Sequence, residues 1–176
     1  MTGVEALVVP ANKQLTLGWG SHLAEAVLAR AGAEVEAEAL AQRPDGVELG
    51  DVLLTGPGRL ETFGHLLHAA VLDKYDMNPL FLLRLRERTS GETLERATTG
   101  CLALADREGI GSLVFTPMGA GIGGMRDRRC AEVMADALRR FERGPRRGAL
   151  TRVVFACWKE RTAACFRKVL DEGTGP

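Results

Sequence analysis

The chain has 176 residues, 45% of them hydrophobic, and its 23 basic and 23 acidic side chains cancel. That length and apolar content predict one domain, residues 1–176, with a real core, and argue against disorder. The neutral balance supplies no gross field for nucleic acid, no apolar stretch approaches a membrane span, and MTGVEALVVP has neither the basic region nor the length of a signal peptide.

Val4 to Val9 is an apolar run ending at Pro10 and predicts a buried strand. The glycine loop Leu17-Gly18-Trp19-Gly20 follows, then a helix from Ser21, a suitable N-cap, with Leu23, Ala26, Val27 and Ala31 on one face and Gly32 as its stop. Val35 to Ala41 predicts a second helix. Val52–Thr55 and His65–Leu72 predict two strands joined through Gly56-Pro57-Gly58. Asp76 to Arg88 carries no clear pattern. Thr89 and Glu92 stand at capping-box spacing before a helix that turns Leu94, Ala97, Cys101, Leu104 and Ala105 inward. Strand Leu113–Phe115 and helix Arg126–Phe141 come next, then a charged linker, Arg143–Gly148. Strand Val153–Trp158 and a helix marked by Ala163, Phe166 and Leu170 close the chain. Strands alternating with helices predict an α/β fold, a sheet covered on both faces.

Cys101, Cys130, Cys157 and Cys165 are widely spaced and form no CxxC pair. Cys101, Cys157 and Cys165 fall in apolar patterns, so reduced core thiols in a cytoplasmic protein are expected, with no metal site. Arg146, Arg147 and Arg152 are candidates for a local basic patch, but solvated charges are the simpler reading.

The stretch Ser112 to Met125, SLVFTPMGAGIGGM, carries the most chemistry. A buried strand runs into four glycines within six residues (Gly119, Gly121, Gly123 and Gly124) and then into a helix. Glycine allows positive φ and close backbone approach, and the backbone N–H groups of such a loop point at an anion. A flexible turn would need only one or two glycines. The two glycine loops, about a hundred residues apart, could face one ligand beyond the carboxyl ends of the strands, which suits a diphosphate.

Together VEALVVPAN (residues 4–12), the first glycine loop with its helix ending in Ala31-Gly32, and PMGAGIGG (residues 117–124) resemble the macro domain, the family that binds ADP-ribose. Gly50–Thr55 and Leu66–Ala69 resemble the family's central strands. The resemblance implies a three-layer fold, a mixed central sheet with helices on both faces, and no cofactor beyond the ligand itself. The implied partner is ADP-ribose or an ADP-ribosylated macromolecule. Asn12 matches the asparagine that reaches the distal ribose; the competing reading is a turn asparagine. Gly18, Trp19, Gly20, Ser21 and His22 match the first phosphate loop; Met118, Gly119, Ala120, Gly121, Ile122 and Gly123 match the second. Trp158 stands where an adenine-side aromatic is often found, and His68 matches a structural strand histidine.

The departures bear on activity. Val9 replaces the motif's first asparagine, and the usual earlier strand, whose Asp holds the adenine amino group, is not expected in its usual form. The hydrolytic branch of the family places an acidic residue where this chain has Ala24. Glu25 is adjacent but a helical step of about 100° away, and His22 has a suitable ordinary pKa for a base; these two are the catalytic candidates. The expectation is therefore an ADP-ribose-binding module. The alternatives are an ADP-ribosyl hydrolase or ADP-ribose phosphate-processing enzyme, a silent interaction module, and an NAD-dependent oxidoreductase. The last rests on Gly119-Ala120-Gly121-Ile122-Gly123-Gly124, which satisfies G-x-G-x-x-G but lacks an acidic residue after the next strand.

Overall fold

A computed structural model of the chain describes residues 3–18, 22–75, 88–145 and 148–172. It contains five strands: β1 (Ala6–Asn12), β2 (Val52–Thr55), β3 (His65–Leu72), β4 (Ser112–Phe115) and β5 (Arg152–Phe155). They form one sheet in the order β2-β3-β1-β4-β5. β1 pairs parallel with both β3 and β4, and β4 pairs parallel with β5, whereas β2 runs antiparallel to β3. β2 is thus an edge strand, while β3 lies inside.

Helices α1 (His22–Ala31) and α2 (Glu34–Gln42) cover one face; α3 (Gly91–Arg107), α4 (Asp127–Arg143) and α5 (Glu160–Glu172) cover the other. Side-chain alternation explains how β1 serves both layers. Ala6 and Val8 enter the core under α3, α4 and α5; Leu7, Val9 and Ala11 enter the core under α1. The same alternation sends Leu113 and Phe115 one way and Val114 the other. An all-apolar run is what a strand buried on both faces requires. Phe115 stacks on Phe155 at 5.7 Å, and Phe155 meets Phe166 of α5 at 4.9 Å, which binds that helix to the sheet.

Four local expectations are corrected. β1 does not stop at Pro10 but continues to Asn12; its pairing with β4 ends at Leu7, so Pro10, with no N–H to donate, interrupts no ladder on that side. The N-cap of α3 is Ser90, whose Oγ accepts from Thr93 N at 3.0 Å, and not Thr89, whose hydroxyl donates to Val71 O at 2.9 Å. β5 ends at Phe155, leaving Trp158 outside the strand. Cys130 is as buried as Cys101, whereas Cys157 and Cys165 are only half-buried; all four are free thiols. Gly32 does end α1, at φ +94°, its N–H bonded to Leu28 O. The proposed N-cap Ser21 and most of the unpatterned segment, residues 76–87, lie outside the described residues, as do Arg146 and Arg147.

Candidate functional site

β1, β4 and β5 are mutually parallel through their shared pairings, so the chain leaves all three at one end of the sheet. The segments after β1 and after β4, which carry the two glycine loops, therefore start side by side.

Asn12 sets the shape of the first. It is almost fully buried, and its amide is saturated. Nδ2 donates to Thr16 O and Thr16 Oγ1, both at 2.8 Å, while Oδ1 accepts from Gln14 N at 3.0 Å and Thr16 N at 3.2 Å. An amide has two donors and an acceptor oxygen with two lone pairs, and here each has a partner within four residues. Leu15 adopts a left-handed φ of +60°, unusual for a branched side chain, and is held there by full burial beside Ala39 and Leu53. The Glu36 carboxylate of α2 then accepts Leu17 N at 2.6 Å. Asn12→Ala is expected to cost about 2 kcal/mol or more of unfolding free energy, because four contacts of roughly 0.5–1.5 kcal/mol each are lost. Urea denaturation measures this, and a loss within about 0.5 kcal/mol would show that the network is idle.

Beyond this clamp Gly18 is exposed, and Trp19, Gly20 and Ser21 lie outside the described residues. His22 and Glu25 both stand in solvent on α1, Nδ1 4.0 Å from the carboxylate. Ala24 points into the core beneath α1. The three therefore split, with the methyl group inside and the two polar groups outside.

The second loop, Thr116–Arg126, is folded on itself. Ala120 N bonds to Pro117 O at 3.4 Å, Gly124 N to Gly121 O at 3.1 Å and Met125 N to Gly119 O at 2.9 Å. The Cys130 thiol donates to Met118 O from below at 3.2 Å, and burial pushes its pKa up to about 12. Gly119 takes φ +100°, a conformation other residues rarely reach. Gly123 is buried, and its carbonyl accepts from Arg88 N and Thr89 N. By contrast Gly121 and Ile122 are exposed, and nothing lies within 4 Å of where a Cβ on Gly121 would stand. Among the described residues, the N–H groups of Gly121, Ile122 and Gly123 have no protein acceptor. Three consecutive unspent amide donors ahead of the start of α4 at Asp127 are an arrangement able to donate to an anion.

Trp158 is 98% exposed at the same end of the sheet. His68 is far from solvent on β3. The Thr55 hydroxyl donates to Gly56 O, so His68 Nε2–H donates to Thr55 Oγ1 at 2.8 Å, and Nδ1 is left buried without a partner. Burial lowers the His68 pKa to about 4, so the ring is neutral and structural. No group of three or more metal-ligating side chains occurs among the described residues, and no helix there is long and apolar enough to cross a membrane.

Sequence reasoning missed Thr16, Glu36, Thr89 and Cys130 as supports of the two loops. Thr89 was visible only as half of a capping box, and Glu36 meets Leu17 across 19 residues that no spacing rule connects.

A mixed sheet between two helical layers, with glycine-rich segments following parallel strands, defines a three-layer α/β architecture. The chain belongs to the macro domain family: that family's sequence profile matches residues 8–134. An uncharacterized protein of Mycobacterium tuberculosis is 30% identical across 97% of this chain, which spans 42% of that protein's length. O-acetyl-ADP-ribose deacetylase 1 of Pantoea vagans is 28% identical over 77% of this chain and 73% of its own. A variant of the Oceanobacillus iheyensis macrodomain, solved with ADP-ribose, superposes with a TM-score of 0.77 at 16% identity, over 96% of this chain and 86% of that one.

Proposed function

We propose that the chain binds ADP-ribose, or a derivative of it, at the ends of β1 and β4. The observation that carries this reading is the run of unspent N–H groups at Gly121, Ile122 and Gly123, the first two residues exposed and the third buried beside them, a few residues ahead of α4. These donors hold the diphosphate. Met118, Gly119 and Ala120 shape the loop around it, and Gly18, Trp19, Gly20, Ser21 and His22 are assigned to the ligand as the first phosphate loop. Asn12 acts by fixing the loop that approaches the distal ribose, since its own amide is already engaged. Trp158 and Ile122, two exposed apolar side chains of this end, flank the adenine side. The ADP-ribose in the Oceanobacillus macrodomain structure supports the ligand class.

The direct test is thermal unfolding with ADP-ribose, AMP and NAD. Saturation at a hundred times Kd should add about 2.7 kcal/mol. Gly121→Glu should keep the parent melting temperature, because the position is open, yet weaken ADP-ribose at least about tenfold, or about 1.4 kcal/mol. Gly121→Gln keeps the volume and removes the charge, separating intrusion from repulsion. A folded Gly121→Glu that binds like the parent rules this loop out as the phosphate site.

A second reading, removal of an acyl or ADP-ribosyl group, is favoured by the Pantoea relative's name. Against rapid turnover stands Ala24, an inward-facing methyl group where a general base would contribute about 10²–10⁴-fold. Free ADP-ribose appearing from a modified protein at ordinary enzymatic rates would establish the second reading. His22→Ala and Glu25→Ala would then identify the base.

A further inference from the structure

The rim beyond β5 carries the most exposed large apolar side chain among the described residues. Trp158 forgoes nearly all of the burial that makes an indole stabilising, and both ring faces are bare. Lys159 follows it, exposed. Arg161 Nε pairs with Asp127 Oδ2 at 2.8 Å, which ties the first turn of α5 to the first residue of α4. That pair brings Arg126, exposed at the N-cap of α4, to the same rim. Among the described residues Arg126 and Lys159 have no carboxylate partner. The neighbouring Glu160 and Glu132 are occupied by Arg167 and Arg128. In residues 126–129 and 158–161 five cations (Arg126, Arg128, Arg129, Lys159 and Arg161) face two carboxylates (Asp127 and Glu160), although the whole chain is neutral.

We propose that this rim is a docking surface for single-stranded nucleic acid, with a base stacked on Trp158 and the adjoining phosphates met by Arg126 and Lys159. Bare aromatic faces beside unpaired cations are the elements of sequence-tolerant single-strand binding, whereas a duplex hides its base faces. One indole face suffices for the adenine of the proposed nucleotide site; the other is left for the strand. The cations also account for the ring's exposure, because a hydrated cationic collar suits a polyanion and would be costly to bury against a protein.

The test is fluorescence anisotropy of fluorescein-labelled octathymidylate with the full chain at about 50 and about 200 mM salt, beside the ADP-ribose melting assay. The expected result is saturable binding that weakens with salt. Trp158→Ala should weaken it about tenfold or more, and Trp158→Phe should restore most of the affinity. The double variant Arg126→Glu, Lys159→Glu should weaken binding and flatten the salt dependence. All these side chains are exposed, so parent-like melting temperatures are expected. No binding at about 50 mM salt overturns the proposal, and so does parent-like binding by Trp158→Ala. Equal affinity for the duplex of the same sequence overturns it as well. A chain that binds octathymidylate but does not respond to ADP-ribose leaves the rim standing and removes the nucleotide reading; the converse removes the rim alone.

Discussion

Gly123→Val is expected to destabilise the chain by about 3 kcal/mol or more, at the upper end for overpacking, and to abolish ligand binding with it. A Cβ there would stand 2.6 Å from Gly119 O and 2.7 Å from Gly119 Cα, and would also strike the Thr89 hydroxyl. Two of these neighbours are backbone and cannot rotate away. Pushing Gly123 outward instead breaks the bonds its carbonyl accepts from Arg88 N and Thr89 N, which hold the residues ahead of α3. The contrast with Gly121, two residues earlier and open, is the informative part. Urea denaturation of both variants should show a large loss for one and almost none for the other. Equal stabilities would mean that the loop relaxes freely and is not the packed turn described above.

The second large effect is acid sensitivity. His68 has an ordinary pKa of 6.5, lowered by burial to about 4 in the folded chain. The sign follows from proton uptake: between those values the unfolded chain carries a proton on His68 that the folded chain refuses. Stability therefore falls as pH drops from about 6.5 toward about 4, by up to about 1.4 kcal/mol per pH unit and about 3 kcal/mol in all. Below that window this contribution levels off, and above it there is none. Protonation would also require an acceptor for Nδ1–H, and Nδ1 has no partner. Denaturation midpoints of the parent and of His68→Gln between about pH 7 and about pH 4.5 test this. The variant keeps a donor for Thr55 and should lose the extra slope; matching slopes would clear His68 of the effect.

Most of the layer plan was legible because it rests on periodicity. β1 and β4 are apolar throughout since both of their faces are buried, and α3, α4 and α5 repeat their apolar residues at helical spacing. Chain punctuation was less legible. Pro10 looked like a strand end, yet it sits where the ladder to β4 has already stopped. Thr89 looked like a cap, but a tertiary acceptor, Val71 O, claims its hydroxyl. At the site, the glycine-rich composition of the second loop was plain, but not the division of labour within it. Whether a glycine is needed for packing, as at Gly123, or for open space, as at Gly121, depends on what the fold brings overhead. Asn12 had two readings on sequence, and the hydrogen bonds favour the turn-forming one while leaving the residue next to the proposed ligand.

The strand order has a consequence for how this site can change. From β1 the chain travels outward to β3 on one flank, by way of α1 and α2, then returns across β1 to β4 on the other flank by way of α3. At such a reversal the two departing connections lie on opposite faces of the sheet and part from one another, leaving a crevice between them. The crevice thus comes from connectivity and would be present with other residues along its walls. Substitutions along its walls would alter what can be held there. Losing the crevice itself would require the strands to be reordered.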